Sequence, residues 1–348
     1  MRVVHSPSHL RHDPQTEVES HGSHFPFEHV GRAETIRDTL AADASFELET
    51  ASPWGTGPIE AVHDPGLRRF LETAWAEYQA AMGPTRDVIA DMFYRPALRR
   101  GMTEGREPAS VVGRLGWWSF ETTTPITEGT YEAAVGSVDV AMSAGQLVLD
   151  GEPAAYALCR PPGHHATSSN YGGYCFFNNA AIAAHYISTT TGSRVTVLDV
   201  DYHHGNGTQE IFYERGDVQY VSLHGDPARA YPYTIGYADE TGAGAGAGCN
   251  LNFPLPARIA DDAYLDVLQR AVDAIDAFAP SVLVVSLGID TFVTDPICDF
   301  SITTDGFERC GRAVGQLGLP TVVVQEGGYD VDMLGENVRR WLTGLAGA

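Results

Sequence analysis

The stretch VTVLDVDYHH, residues 195–204, runs from an apolar, β-branched segment into two carboxylates and an imidazole set at alternate positions. If residues 195–200 form a strand, successive side chains point to opposite faces, so Asp199, Asp201 and His203 share one side at its carboxyl end. That end of a parallel strand is where open α/β sheets bind ligands. Carboxylate and imidazole together suit a borderline divalent ion such as zinc, and a site with fewer than four protein ligands leaves room for water. The stretch therefore predicts a catalytic metal centre.

Similar apolar runs recur at residues 154–159, 218–223, 281–287 and 321–325, with intervals between them long enough for helices. Alternation of strand and helix predicts the α/β class, with one open, mostly parallel sheet and helices on both faces. Four of the runs end in polar residues that packing alone does not require. Arg160-Pro161-Pro162-Gly163-His164-His165 follows the first, and Gly288-Ile289-Asp290 and Glu326-Gly327-Gly328-Tyr329 follow two of the others. In a parallel sheet, these tips and the 199–204 cluster converge on one face.

Helical spacing is clearest at Leu265, Leu268, Val272 and Ile275, and residues 130–149 also read as a helix. A further helix is predicted from Asp64, an N-cap with Pro65 at the first helical position, to Ala81. Such stripes are core-facing. Between about 82 and 129 the pattern loosens around Pro84, Pro96, Pro108, Pro125 and the pair Trp117-Trp118, which reads as an insertion within a single domain spanning 1–348. Long irregular insertions serve as lids, binding loops or oligomer contacts. The glycine-alanine run at 242–248 precedes a predicted strand at 250–255, the wrong order for a dinucleotide fingerprint, and reads as a close-packed turn.

With 348 residues, 43% of them hydrophobic, the chain can bury a large core. No apolar run is long enough to span a membrane, and the polar start predicts a soluble, unexported, cytoplasmic protein. Five cysteines form no CxxC pair, which fits reduced thiols. The formal charge of -23 repels nucleic acid and suits a cationic substrate. All 22 basic residues are arginine, so lysine Schiff-base chemistry and a Walker A phosphate loop are excluded.

Asp201, His203 and Asp290 are three prospective ligands, leaving a position for a water whose pKa a divalent metal lowers from about 15.7 toward about 7. His164 and His165 would supply what amide hydrolysis needs, a base for the attacking water and an acid for the leaving amine. Tyr329, after two glycines, can set its hydroxyl against a developing oxyanion.

Taken together, CRPPGHH at 159–165, GGYCFFNNAAIAA at 172–184, LDVDYHHGNGTQEIF at 198–212, SLHGDP at 222–227, SLGIDTFVTDP at 286–296 and EGGY at 326–329 resemble the zinc-dependent histone deacetylase superfamily. Within it, the chain is most similar to the bacterial acetylpolyamine amidohydrolases. The resemblance implies the arginase-deacetylase fold and one zinc per subunit, held by Asp201, His203 and Asp290. It implies His165 as general base and acid, His164 as the second, electrostatic histidine, and Tyr329 as the transition-state tyrosine. Asp199 falls where the family orients the first histidine, and Asn206 stands behind the second, where some relatives have aspartate. Gly173, Tyr174 and Tyr231 match the wall of the acyl tunnel. A structural potassium or sodium ion is implied at Asp199, Asp201, His203, Ser222 and Leu223, and a second at Phe212, Arg215 and Val218. The insertion matches a loop through which such enzymes form homodimers and narrow their entrance. Its six arginines equal its six acids, so Glu104, Glu107 and Glu121 are the acids left to receive a distal amine, and Trp117 and Trp118 would form an apolar or cation-π mouth.

The activity so implied is hydrolysis of the acetyl amide of an acetylated polyamine or similar small cationic amine. Acetyl-lysine in proteins is the alternative substrate. A two-manganese ureohydrolase would need another bridging carboxylate, but Gly288 stands in its place. A binding protein without catalysis would be expected to lack a ligand, the base or the tyrosine, and all are present.

Overall fold

A computed structural model describes residues 1–20, 22–103 and 105–348. Its strands are β1 (Arg2–His5), β2 (Glu17–Glu19), β3 (Gly22–His24), β4 (Glu47–Thr50), β5 (Ala154–Ala157), β6 (Val195–Asp199), β7 (Val218–Gly225), β8 (Asn250–Leu255), β9 (Val282–Leu287) and β10 (Thr321–Gln325). Eight of them form one sheet in the order β4-β1-β5-β10-β9-β6-β7-β8, and β2 and β3 make a separate antiparallel pair. Every neighbouring pair in the large sheet is parallel, so the predicted class holds.

The central strands β6, β7, β9 and β10 are buried at every position, which is why they are rich in Val and Leu and show no strict alternation of apolar and charged residues. Helices cover both faces. Ile36 and Leu40, Leu268 and Ile275, Phe307 and Val314, and Trp341 and Leu342 seal one face, from the helices Gly31–Ala41, Asp261–Phe278, Thr304–Gly315 and Val331–Ala346. Val140, Ala144 and Val148 of Thr130–Leu149, with Ala180, Ala184 and Ile187 of Asn179–Thr191, seal the other. Small alanines let these last two helices lie close to the sheet.

The helix Pro65–Met82 begins as its sequence predicts, with the Asp64 side chain accepting the Gly66 N–H at 2.6 Å. Strands β8 and β10 keep the bounds read from the sequence, β5 and β6 stop two residues and one residue early although the apolar run continues, β9 begins one residue later, and β7 runs two residues further, to Gly225. The insertion is less irregular than its prolines suggest. It contains the helix Val111–Trp118, which packs with Pro65–Met82 in a third apolar cluster around Phe70, Leu71, Val88, Leu115 and Ile126. The glycine-alanine run is a tight turn, and a Cβ on Gly242 would lie 2.0 Å from the Gly246 carbonyl oxygen. No helix among the described residues is long and apolar enough to cross a membrane.

Candidate active site

Strands β5, β10, β9 and β6 are adjacent, so the four loops leaving their carboxyl ends meet, as the strand-tip argument requires. The ligand cluster forms where β6 and β9 end. Asp201 and Asp290 are fully buried, and His203 Nδ1 lies 3.3 Å from Asp201 Oδ1 and 3.0 Å from Asp290 Oδ2. Backbone amides hold these carboxylates in place: Gly327 N–H donates to Asp201 Oδ2 at 2.8 Å, and Tyr202 N–H to Asp290 Oδ1 at 2.8 Å. Two carboxylate oxygens and a ring nitrogen this close inside a protein need a proton or a cation between them. Two aspartates and one imidazole are a donor set that zinc accepts, so these residues fit the metal the sequence implies.

Next to the cluster, the loop after β5 carries the two histidines. Gly163 N–H and His164 N–H donate to Glu326 Oε2 at 2.6 and 3.1 Å, and Ser286 Oγ donates to the other oxygen of this buried carboxylate at 3.1 Å. His164 Nδ1 meets Asp199 Oδ2 at 3.1 Å, and Tyr220 Oη donates to the same oxygen at 3.0 Å. His165 Nδ1 meets the amide oxygen of Asn206 at 2.7 Å, and the two histidine rings lie 4.0 Å apart.

These neighbours drive the two imidazoles apart. Burial disfavours charge on His164, but the carboxylates of Asp201 and Asp199 outweigh it and raise the pKa to about 10. Burial and the positive charges of His164 and His203 push His165 well below the usual histidine range. Burial penalises both ligand carboxylates. At Asp201 the two histidines His164 and His203 overcome it and hold the group ionised, whereas Asp290, also repelled by Asp201, is pushed up to about 7.

Tyr329 lies over the cluster on the loop after β10. Its ring packs edge-on to Tyr174 at 5.9 Å, and the buried Arg32 guanidinium lies 4.7 Å from its centre. Arg32 also donates to the carbonyls of Glu326 and Gly328, both at 2.6 Å, bracing the glycine turn beneath the tyrosine. Glu28 balances two buried arginines, accepting from Arg32 Nη1 at 3.0 Å and from Arg160 Nε at 2.8 Å.

Gly173 and Tyr174 both have positive φ, 58° and 65°, and a Cβ on Gly173 would lie 2.4 Å from the His165 ring. Glycine is thus required where the wall presses on His165. The Tyr174 hydroxyl donates to the buried carboxylate of Glu17, and burial raises the Glu17 pKa to about 7. Tyr231 stacks edge-on to His165 at 4.9 Å and to His203 at 6.0 Å.

The remaining sequence-predicted residues are more dispersed. Asp199 and Ser222 are register partners on β6 and β7, with Leu223 next along β7. Phe212, Arg215 and Val218 follow one another where the helix Asn206–Phe212 turns into β7, with Arg215 N–H donating to the Phe212 carbonyl at 2.9 Å. Glu121 reaches the Gly173 turn, because its carboxylate accepts the Gly173 N–H at 2.9 Å and also the hydroxyls of Thr123 and Thr124. Trp117 stacks on Tyr94 at 4.5 Å within the insertion. Trp118 is buried in the third apolar cluster, its indole N–H donating to Glu107 at 2.9 Å. Glu104 lies outside the described residues.

Sequence reasoning set Glu326 at a strand tip without giving it a role, and missed Arg32, Glu28, Glu17 and Asp295, whose carboxylate Oδ2 accepts the Tyr329 N–H at 2.8 Å. Glu326 carried a signal, since an acid directly after the buried strand Thr321–Gln325 has no reason in packing. Arg32 carried none: it sits almost 300 positions from the loop it braces.

The histone deacetylase domain family matches residues 26–345. Acetylpolyamine amidohydrolase 2 of Pseudomonas aeruginosa is 43% identical, covering 100% of this chain and 99% of the relative. The acetylpolyamine amidohydrolase of Mycoplana ramosa is also 43% identical, with both chains covered to 100%. A crystal structure of acetylpolyamine aminohydrolase from Burkholderia pseudomallei superposes with a TM-score of 0.93 at 40% identity, covering 99% of this chain and 98% of that one. Similarity of this extent takes in the sheet and all four loops that build the cluster, and by it the chain belongs to the histone deacetylase family.

Proposed function

We propose that the protein is a zinc-dependent amidohydrolase that removes acetyl from acetylated polyamines or similar aliphatic amines. The observation that carries this reading is the meeting of His203 Nδ1 with the carboxylates of Asp201 and Asp290 at 3.0–3.3 Å, directly beside His165. These three side chains would hold the zinc. When bound, zinc supplies the Lewis acidity that polarises the acetyl carbonyl and lowers the pKa of the attacking water.

The chain's own groups do the rest. His165, kept neutral, accepts a proton from the attacking water and returns it to the leaving amine. His164, kept cationic against Asp199, steadies the negative charge that develops beside it. Tyr329 donates its hydroxyl to the oxyanion, and burial keeps that phenol protonated. Gly173, Tyr174 and Tyr231 exclude water from the aliphatic chain of the substrate, and the Glu121 carboxylate draws its cationic end toward the entrance.

Full-length relatives named as acetylpolyamine amidohydrolases support a polyamine substrate over acetyl-lysine proteins. A two-manganese ureohydrolase is disfavoured on steric grounds. A Cβ on Gly288 would sit 2.1 Å from Asp201 Oδ2, so a bridging carboxylate has no room there. The same reading includes a potassium or sodium ion near Asp199 and Ser222, and a homodimer formed through the insertion, where Met92, Leu98 and Met102 are exposed.

The test is a panel of acetylputrescine, acetylcadaverine, acetylspermidine and acetyl-lysine peptides, assayed with protein of measured metal content. One zinc per chain and a preference for the small amines are expected. Preference for the peptides would transfer the activity to protein substrates, and two manganese per chain or no hydrolysis at all would overturn it. Sedimentation should show dimers, and a 37.5 kDa species alone would remove the dimer.

A further inference from the structure

The segment from Asp290 to Cys298 touches the candidate site at three points. Asp290 begins it, and at its end Cys298 Sγ lies 3.9 Å from His203 Nε2. Between them, Asp295 reaches across to the loop that carries Tyr329. Its Oδ2 accepts the Tyr329 N–H at 2.8 Å, and its Oδ1 accepts the N–H of Ile297 at 3.0 Å. One residue earlier, the Thr294 hydroxyl donates to the carboxylate of Asp330. Two side chains of this segment thus hold consecutive residues of the other loop.

The tyrosine needs such a hold. It follows Gly327 and Gly328, and Gly328 has a φ of 119° that side-chain-bearing residues rarely adopt. Glycine leaves the backbone free to approach Asp201 and Asp290, where a Cβ on Gly327 would lie 2.6 Å from an oxygen of each, but it stiffens nothing. The next two residues of the gripping segment, Pro296 and Ile297, line an open depression on the surface, so solvent lies on that side. The Asp295 carboxylate is itself buried, 7% exposed, where a hydrogen bond to it is poorly replaced by water.

We infer that Asp295 is a positioning residue for deacetylation: by accepting the Tyr329 N–H it sets the depth at which the tyrosine hydroxyl meets the acetyl carbonyl. The inference rests on the reading of Tyr329 as the oxyanion donor. A carboxylate is the side chain suited to the task, because each of its two oxygens accepts one N–H and the two amides come from different loops. An asparagine of the same shape has one acceptor oxygen and would turn an N–H2 toward the other amide.

Asp295→Asn, Tyr329→Phe and the double variant separate the two claims when assayed on acetylputrescine with zinc-loaded protein. Asp295→Asn should lower kcat by about tenfold to a hundredfold, the scale on which a misplaced group costs rate, with KM within about threefold. Zinc per chain should be unchanged. In the Tyr329→Phe background, the same substitution should cost less than about twofold, since two groups acting as one unit are not additive. An equal loss in both backgrounds, or loss of zinc, would make Asp295 a general structural residue and overturn the inference. Near-normal turnover of Tyr329→Phe alone would instead sink the role given to the tyrosine. If Asp295→Asn fails to fold, Thr294→Val, at an exposed position, takes its place: a loss of about threefold that vanishes with Tyr329→Phe supports the clasp, and one that persists overturns it.

Discussion

His165 Nδ1 lies 2.7 Å from the amide oxygen of Asn206, a neutral partner. Its neighbour His164 faces the Asp199 carboxylate at 3.1 Å. Two adjacent imidazoles with different partners thereby have their pKa values driven in opposite directions. One is held cationic, while the other is held neutral.

Replacing that neutral partner should alter the pH profile. Asn206→Asp places a negative charge against His165 Nδ1, which favours the protonated ring and raises its pKa. A base must be unprotonated to act, so the acid limb of kcat/KM should move to higher pH, by about one unit. An unmoved limb in zinc-loaded enzyme would remove His165 as the base.

Gly288 should tolerate no side chain. In Gly288→Ala, the new Cβ would overlap Asp201, 2.1 Å from Oδ2 and 2.6 Å from Cα, and so displace a ligand held on both sides. We expect zinc affinity to fall by about tenfold to a hundredfold, measured by competition with a chelator, with activity falling in parallel. Unchanged zinc affinity would mean that Asp201 does not bind the metal.

Glu28 should matter far more to stability than an exposed acid. It is 2% exposed and is the carboxylate shared by buried Arg32 and Arg160, which hold its pKa down to about 2 against the penalty of burial. Glu28→Gln leaves two guanidinium groups without their countercharge. Denaturant unfolding should show a loss of about 3–5 kcal/mol, the range for breaking a buried pair from one side. A loss below about 1 kcal/mol would contradict the assignment.

His63 makes folding stability fall in mild acid. Its Nδ1–H donates to the Thr167 carbonyl at 2.8 Å and its Nε2 accepts the Asn178 N–H at 2.9 Å, so the folded ring has no place for a second proton. Burial lowers its pKa from 6.5 to about 4. The unfolded chain therefore binds a proton first as pH falls. The stability contributed is full above about 6.5 and is lost toward about 4, at a slope of at most about 1.4 kcal/mol per pH unit. Wild type should lose stability more steeply than His63→Gln across that window, and coincident slopes would refute the linkage.

Much of the site was legible because strand geometry is local. A buried run that ends in a carboxylate announces a parallel strand and its ligand-binding tip, although the strand stops at Asp199, so Asp201 and His203 reach the cluster from the loop that follows and not by strand alternation. The placing of Asp290 and Tyr329 near that cluster needed only the rule that parallel strand tips share a face. Trp117 and Trp118 show where such reasoning stops. As neighbours on one helix they point in different directions: Trp118 is buried inside the third apolar cluster, while Trp117 lies partly buried at its edge against Tyr94.

By itself, the sequence determined the α/β class and the paired histidines, which follow from patterns within single segments, and it offered Asp201, His203 and Asp290 as metal-type donors through the rule that parallel strand tips share a face. Only the tertiary structure decided that Asp295 would hold the backbone of Tyr329, that Arg32 would lie over its ring, and that Glu326 would pin the histidine loop. Those contacts join surfaces that spacing along the chain does not relate. They exist because close packing leaves buried N–H and guanidinium groups that must find acceptors, wherever in the chain an acceptor lies.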